Sequence, residues 1–283
     1  MSSPPTTIQP ETAGAPLWKA QLMGLLRGEI RKSFLRGRAL PLYLLAAMPV
    51  LLTLLWAILP LPPEARRETG NAAVVFAGAF QAFILHVLVF VGCLLIFTNL
   101  FRGEMLERSM HYYFLCPIRR ELLVAGKYLA GQIAASSIFG IAVVLSYILM
   151  FLPYGGRGIE YLTVSPGLGH ILAYFGVTVL GCLGYGAVFL LVGLVFRNPI
   201  VPGIIIFGWE FANPYMPAVL QKISVIHYLI SLCPVPAQSG AFQVISDPAP
   251  AWASVPGILL VTAALLYIVA LRLKHTEITY GDD

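Results

Sequence analysis

Residues 102–127, RGEMLERSMHYYFLCPIRRELLVAGK, stand between two segments apolar enough to cross a bilayer, and their reading decides the fold. Arg102, Glu104, Glu107 and Arg108 fall close together, and an aromatic run then leads to Pro117. A charge at the centre of a bilayer costs about 2.5 to 3.5 kcal/mol even on a lenient insertion scale, so this cluster does not sit in lipid. It faces water or a partner, and the flanking segments are the membrane part of the chain.

Composition explains why the stretch stands out. Of 283 residues, 58% are hydrophobic and 11% charged, whereas a soluble domain carries about 25% charge. The chain therefore reads as an all-α integral membrane protein, since a helix satisfies its own backbone groups in lipid. The net charge of +5 is scattered over short segments rather than gathered into a groove, so it reads as topogenic and no nucleic acid is expected. Cys93, Cys116, Cys182 and Cys233 have no CxxC spacing and read as small buried thiols. His86, His111, His170, His227 and His275 form no HExxH and meet no acidic cluster, so neither a metal site nor a catalytic site is expected.

Residues 1–16, rich in Pro, Thr and Ser, read as a disordered tail. Residues 17–38 mix Trp18, Leu22, Leu25, Leu26, Ile30 and Phe34 with Arg27, Arg31, Lys32, Arg36 and Arg38. At 100° per residue this makes an amphipathic helix on the membrane surface, its basic face toward anionic headgroups. The transmembrane domain, 39–273, divides into spans at Ala39–Leu61, Ala72–Phe101, Leu122–Leu152, Leu168–Phe196, Pro199–Leu220 and Val255–Leu271. The run from Tyr154 to Gly169 reads as an outer loop, and 274–283 as a cytoplasmic tail. Gly176, Gly181, Gly184, Gly186 and Gly193 thin the fourth span and read as helix-packing positions.

The region from Ile200 to Cys233 is apolar almost throughout but is interrupted by Asn213-Pro214 and Met216-Pro217. Proline removes a donor and clashes with the preceding turn, so one straight helix is not expected. Charge counting chooses between two spans and one span followed by a re-entrant element. With six spans and both termini inside, only Arg66, Arg67, Arg157 and Lys222 of the 18 Lys and Arg residues lie outside. A seventh span would put Arg272 and Lys274 outside, against the positive-inside rule. The expected fold is thus six transmembrane helices, an N-terminal amphipathic surface helix, and an outer re-entrant helix at 218–233 between spans five and six.

The pattern Gly103-Glu104, Glu107-Arg108-Ser109, Tyr112 to Leu115, Pro117, Arg120 and Gly126-Lys127 resembles the first cytoplasmic loop of exporter-type (ABC-2 type) ABC transporter permeases. The architecture is similar too, whereas Ser109, Met110 and His111 stand where relatives often carry Thr and aliphatic residues. The resemblance implies a coupling helix in 102–120 that docks on an ATPase subunit through Gly103, Glu104, Glu107, Arg108, Tyr112 and Arg120. It also implies a second permease copy or close paralogue, export of an amphipathic solute, and an inner (plasma) membrane location. The chain carries no P-loop: Gly126-Lys127 is followed by Tyr128 and preceded at the required spacing by Glu121. No cofactor is expected on this chain, ATP being bound by the partner subunit.

His86 and Glu210 fall well inside the second and fifth spans and form a candidate intramembrane polar site. They pair with each other, or each bonds internally to a carbonyl or to Asn213. Phe207, Trp209, Phe211 and Tyr215 flank Glu210 as path-lining or packing aromatics. The rival reading is an ATP-independent secondary transporter or channel, which calls for interrupted helices at matching positions in two halves. A third is an assembly subunit that binds partners without transport.

Overall fold

The computed structural model describes residues 22–29, 40–59, 69–106, 120–164, 166–236 and 249–275. The expected tail at 1–16 lies outside the described residues, as do most of 17–38 and all of the expected tail 274–283 past His275, while Lys274 and His275 belong by backbone to the last helix. Among the described residues every regular element is a helix. In chain order these are α1 (22–29), α2 (Leu40–Ile58), and α3 (Thr69–Ala79), which runs through a π-helical stretch (Phe80–Val89) into α4 (Phe90–Leu106). Then come α5 (Arg120–Phe151), α6 (Gly156–Thr163), α7 (Gly167–Val195), α8 (Ile200–Ala212), α9 (Ala218–Gln221), α10 (Val225–Ser231) and α11 (Ala251–His275).

Among the described residues five helices are long and apolar enough to cross a membrane: Leu40–Ile58, Thr69–Gly103, Glu121–Tyr154, Gly167–Val195 and Ala251–Leu273. They match five of the six expected spans to within a few residues. The other, Pro199–Leu220, is not one helix: α8 stops at Ala212 after 13 residues and a 3-10 turn, Asn213–Tyr215, follows. At 1.5 Å per residue α8 is about 20 Å long, short of the ~30 Å hydrocarbon core. Pro214 and Pro217 account for the stop, because neither supplies an N–H to continue the ladder.

The glycine-bearing α7 is the central element, packing on α4, α5, α11 and α10. Its glycines explain the closeness. A Cβ at Gly193 would lie 2.7 Å from Thr98 Cα, and one at Gly186 would lie 2.6 Å from the Phe97 ring. Gly181 faces Val89 and Leu229, and Gly184 faces Val225 and Ile258, while Gly176 has nothing within 4 Å. The packing role thus falls to four of the five glycines. Where lipid tails are as apolar as leucine, such contacts rather than hydrophobic burial hold helices together. The outer helices differ accordingly: α2 and α11 are 17% and 22% buried over their apolar windows, against 67% for α7.

The run expected as an outer loop instead holds α6, one face of which is anchored. Tyr161 stacks on Phe151 with ring centroids 4.7 Å apart, and its hydroxyl meets His170 Nδ1 at 3.2 Å. Gly158 sits so close to the Phe151 carbonyl that a Cβ there would come to 2.2 Å. Gly155, at φ +59°, makes the turn into α6. The Gly and Pro residues of this run read as a loop, and the helix is short and mostly exposed, with Gly158 buried and Tyr161 and Leu162 half-buried.

At the other end of α5, helix α1 lies on the bundle rather than only along a membrane surface. Leu25 occupies the space a Cβ would need at Gly126, 2.1 Å from its Cδ2. Beside it, Lys127 Nζ lies 3.3 Å from Glu29 Oε1 and donates to the Leu100 carbonyl at 3.0 Å. The ammonium also stands 5.5 Å from the Phe101 ring centroid.

Candidate functional site

The site is built where α8 breaks. Gly203, Phe207 and Phe211 follow one face of α8 at four-residue steps, and they meet Leu94, Phe90 and His86 in reverse order. A Cβ at Gly203 would lie 2.9 Å from Leu94 Cδ1, the Phe207 and Phe90 rings are 5.2 Å apart, and those of Phe211 and His86 are 6.4 Å apart. Helix α8 therefore runs antiparallel to α4 and its π-helical approach. On the far side of the break, Val225 meets Gly184 and Leu229 meets Gly181, so α10 runs antiparallel to α7. Helices α4 and α7 are themselves parallel, since Val89 pairs with Gly181 and Thr98 with Gly193. Helices α8 and α10 thus climb the bundle in the same direction, as two staggered pieces.

Glu210, in the last turn of α8, joins the pieces. The residue is 5% exposed. Oε2 accepts from the Tyr185 hydroxyl at 3.1 Å, the Ser224 hydroxyl, and the Ile226 N–H at 3.0 Å. Oε1 accepts from the Val225 N–H at 3.2 Å. Two of these donors are among the first N–H groups of α10, which have no partner within their helix. All four are neutral, and the carboxylate acts only as acceptor.

The turn between the two helices is closed by amides. Asn213 Nδ2 donates to the Gln221 carbonyl at 3.1 Å, and Gln221 Nε2 donates to the Met216 carbonyl at 3.0 Å. Gln221 and Asn213 are both nearly fully buried. Buried backbone carbonyls that leave a helix need partners within the protein, and these side chains supply them to Gln221 and Met216.

His86 is placed differently. Its Nδ1 lies 2.7 Å from the Gln81 carbonyl. A carbonyl only accepts, so Nδ1 carries the hydrogen, and Nε2 has no hydrogen-bond partner among the described residues. The π-helical stretch puts the ring one turn above that carbonyl, and the Gln81 side chain donates to Val235 at 3.0 Å. His86 and Glu210 are not hydrogen-bonded to each other: the acid serves the α10 start, and the imidazole bonds to a carbonyl. Of the aromatics around Glu210, Phe207 packs against Phe90, while Trp209, Phe211 and Tyr215 are at least 36% exposed.

The expected partner-docking residues are only partly placed. Gly103 is buried near the end of α4, and Glu104 and Arg120 belong by backbone to α4 and α5. Glu107, Arg108 and Tyr112 lie outside the described residues. Among the described residues no group of three or more His, Cys, Asp or Glu is placed to hold a metal. Cys93 and Cys182 are buried free thiols, and Cys233 is a partly buried one.

Three residues escaped the sequence reading. Tyr185 lay within the fourth expected span and Ser224 within the expected re-entrant helix, and neither was singled out. Glu29 had a signal that went unused: it is the lone acid in the basic stretch 17–38. No protein-family model, no curated protein and no solved structure matches this chain.

Proposed function

We propose that the chain is the membrane-spanning permease subunit of an exporter-type ABC transporter. Two copies, or one copy and a close paralogue, enclose a path and work with separate ATPase subunits that bind and hydrolyse ATP. The observation that carries this reading is the charged stretch 102–127, with its Gly-Glu, Glu-Arg-Ser, aromatic, Pro and Gly-Lys order, between two long apolar helices. Docking falls to Gly103, Glu104, Glu107, Arg108, Tyr112 and Arg120, and rocking of α4 and α5 as levers carries ATPase movement into the membrane. In this reading α8 and α10 together make the fifth crossing, with the turn from Asn213 to Ser224 as its re-entrant break. Both termini are cytoplasmic, in the inner (plasma) membrane. The cargo is an amphipathic or lipid-like solute, a class that rests on the family resemblance alone.

The test is a pull-down of the tagged full chain from its native membranes, followed by an ATPase assay. A P-loop protein co-purifies, and Glu107→Lys lowers its recovery at least tenfold. A chain that purifies alone while the membrane's ATPases stay intact overturns the reading.

One observation favours the secondary-transporter alternative. The α8–α10 segment is a broken helix with a polar turn, the kind of element such transporters use for binding. Inverted repeats need a matching break in the other half, and none is found among the described residues. If the chain purifies alone, Glu210 becomes the first residue to substitute in a transport assay.

A further inference from the structure

We propose that Glu29 and Lys127 are a positioning pair, a joint that makes helix α1 one rigid body with the end of α4 and the start of α5. The inference rests on the permease reading for its purpose, because these ends of α4 and α5 flank the stretch expected to meet the ATPase. Its geometry stands independently of that reading.

The joint ties three elements at one atom. Lys127 Nζ reaches Glu29 on α1 at 3.3 Å and the Leu100 carbonyl on α4 at 3.0 Å, from its own place on α5. The Lys127 side chain is 0% exposed and that of Glu29 7%. Leu100 belongs to the last two turns of α4, so its carbonyl brings the ammonium to the end of that helix. Leu25, one turn before Glu29, fills the gap at Gly126. Gly126 thus makes room for α1, because a side chain there would displace the Leu25 methyl group.

Sequence position makes the pair specific. Glu29 is the lone acid between residues 17 and 38, and Lys127 is the lone basic residue between Arg120 and Arg157. A basic amphipathic helix held by anionic headgroups has no use for a buried acid on its inner face. It is the acid that directs α1 to protein rather than to lipid. Lifting α1 away parts the Glu29 carboxylate from the fully buried Lys127 ammonium, and separating a buried pair is strongly disfavoured. The exposed side of α1, with Met23, Gly24, Arg27 and Gly28, is therefore carried along with α4 and α5 rather than drifting on the bilayer.

The experiment is hydrogen exchange, read by mass spectrometry, on the full chain in nanodiscs, together with the recovery of co-purifying ATPase. Glu29→Gln and Lys127→Met each raise exchange of residues 22–29 at least tenfold, while peptides of α7 exchange as in the wild type. ATPase recovery falls in the same two variants. Lys127→Arg, which keeps a cation with N–H donors for both Glu29 and the Leu100 carbonyl, leaves both readouts within a few-fold of the wild type. Glu29→Gln, on a peripheral helix, keeps the test open if the Lys127 variant fails to fold. Unchanged exchange at 22–29 overturns the joint. Protection that follows the phosphatidylglycerol content of the nanodisc instead of residue 127 also overturns it, by returning α1 to the headgroups. Raised exchange with full ATPase recovery overturns the positioning role. If the wild type recovers no ATPase, the permease reading fails, and the exchange result alone decides the joint.

Discussion

Among the described residues two acidic side chains are buried, Glu29 and Glu210, and they are held in opposite ways. Glu29 meets an ammonium from a helix 98 residues away. Glu210 meets four neutral donors, three of them 14 to 16 residues ahead in the chain and one 25 residues behind. The first arrangement ties distant parts of the chain by charge. The second closes a local break by supplying acceptors to the unpaired start of a short helix. A buried ion pair is costly to half-remove, whereas a set of neutral hydrogen bonds loses its members one at a time.

The largest effect expected follows from halving the pair. Lys127→Met removes the ammonium that Glu29 meets and lowers stability by about 3–5 kcal/mol, read from thermal unfolding of the detergent-solubilised chain. Adding Glu29→Leu returns most of that loss, since a pair replaced by packed apolar groups is often neutral. A double variant as unstable as the single one breaks the contrast, because the loss then comes from the Leu100 and Phe101 contacts rather than from charge.

Glu210→Gln is the next step down. The amide offers one acceptor oxygen and turns an N–H₂ toward donors, costing about 1–3 kcal/mol for the groups left unsatisfied. Proteolysis within the turn from Asn213 to Ser224 should rise in parallel. Stability equal to wild type would mean that the turn is held by Asn213 and Gln221 alone.

Tyr185→Phe removes one donor of four and is expected to cost about 0.5–1.5 kcal/mol, the worth of a single net hydrogen bond. A loss as large as that of Glu210→Gln would show that the four bonds act as one unit. The smallest effect is expected at Gly176, where nothing lies within 4 Å. Gly176→Ala should raise stability by up to about 1 kcal/mol through helix propensity. Gly193→Ala, pressed against the Thr98 backbone, should lower it by about 1–3 kcal/mol.

The reach of the sequence can be judged from the same residues. Five helices long enough to cross a membrane were legible because about 20 consecutive apolar residues are a signal in themselves. The break near Asn213-Pro214 was legible because proline cannot continue a helix ladder. Helix α6 was missed because it buries only one narrow face, and the π-helical stretch was missed because its side chains read as an ordinary apolar span. The partners of Glu210 were beyond reach for another reason: two are backbone N–H groups, which every residue carries and no sequence pattern marks.

By itself, then, the sequence determined the local facts. It set where the chain is apolar enough to be helical in a membrane, where proline stops a helix, and where charge forces it out of lipid. Only the tertiary structure decided which buried charges meet, how α8 and α10 stagger against α4 and α7, and that Gly126 and Lys127 serve helix α1. Apolar runs and prolines act over a few residues, and their energies are nearly the same in any fold. A contact such as Glu29 to Lys127 depends on the placement of three helices at once. Its energy exists only after that placement is made.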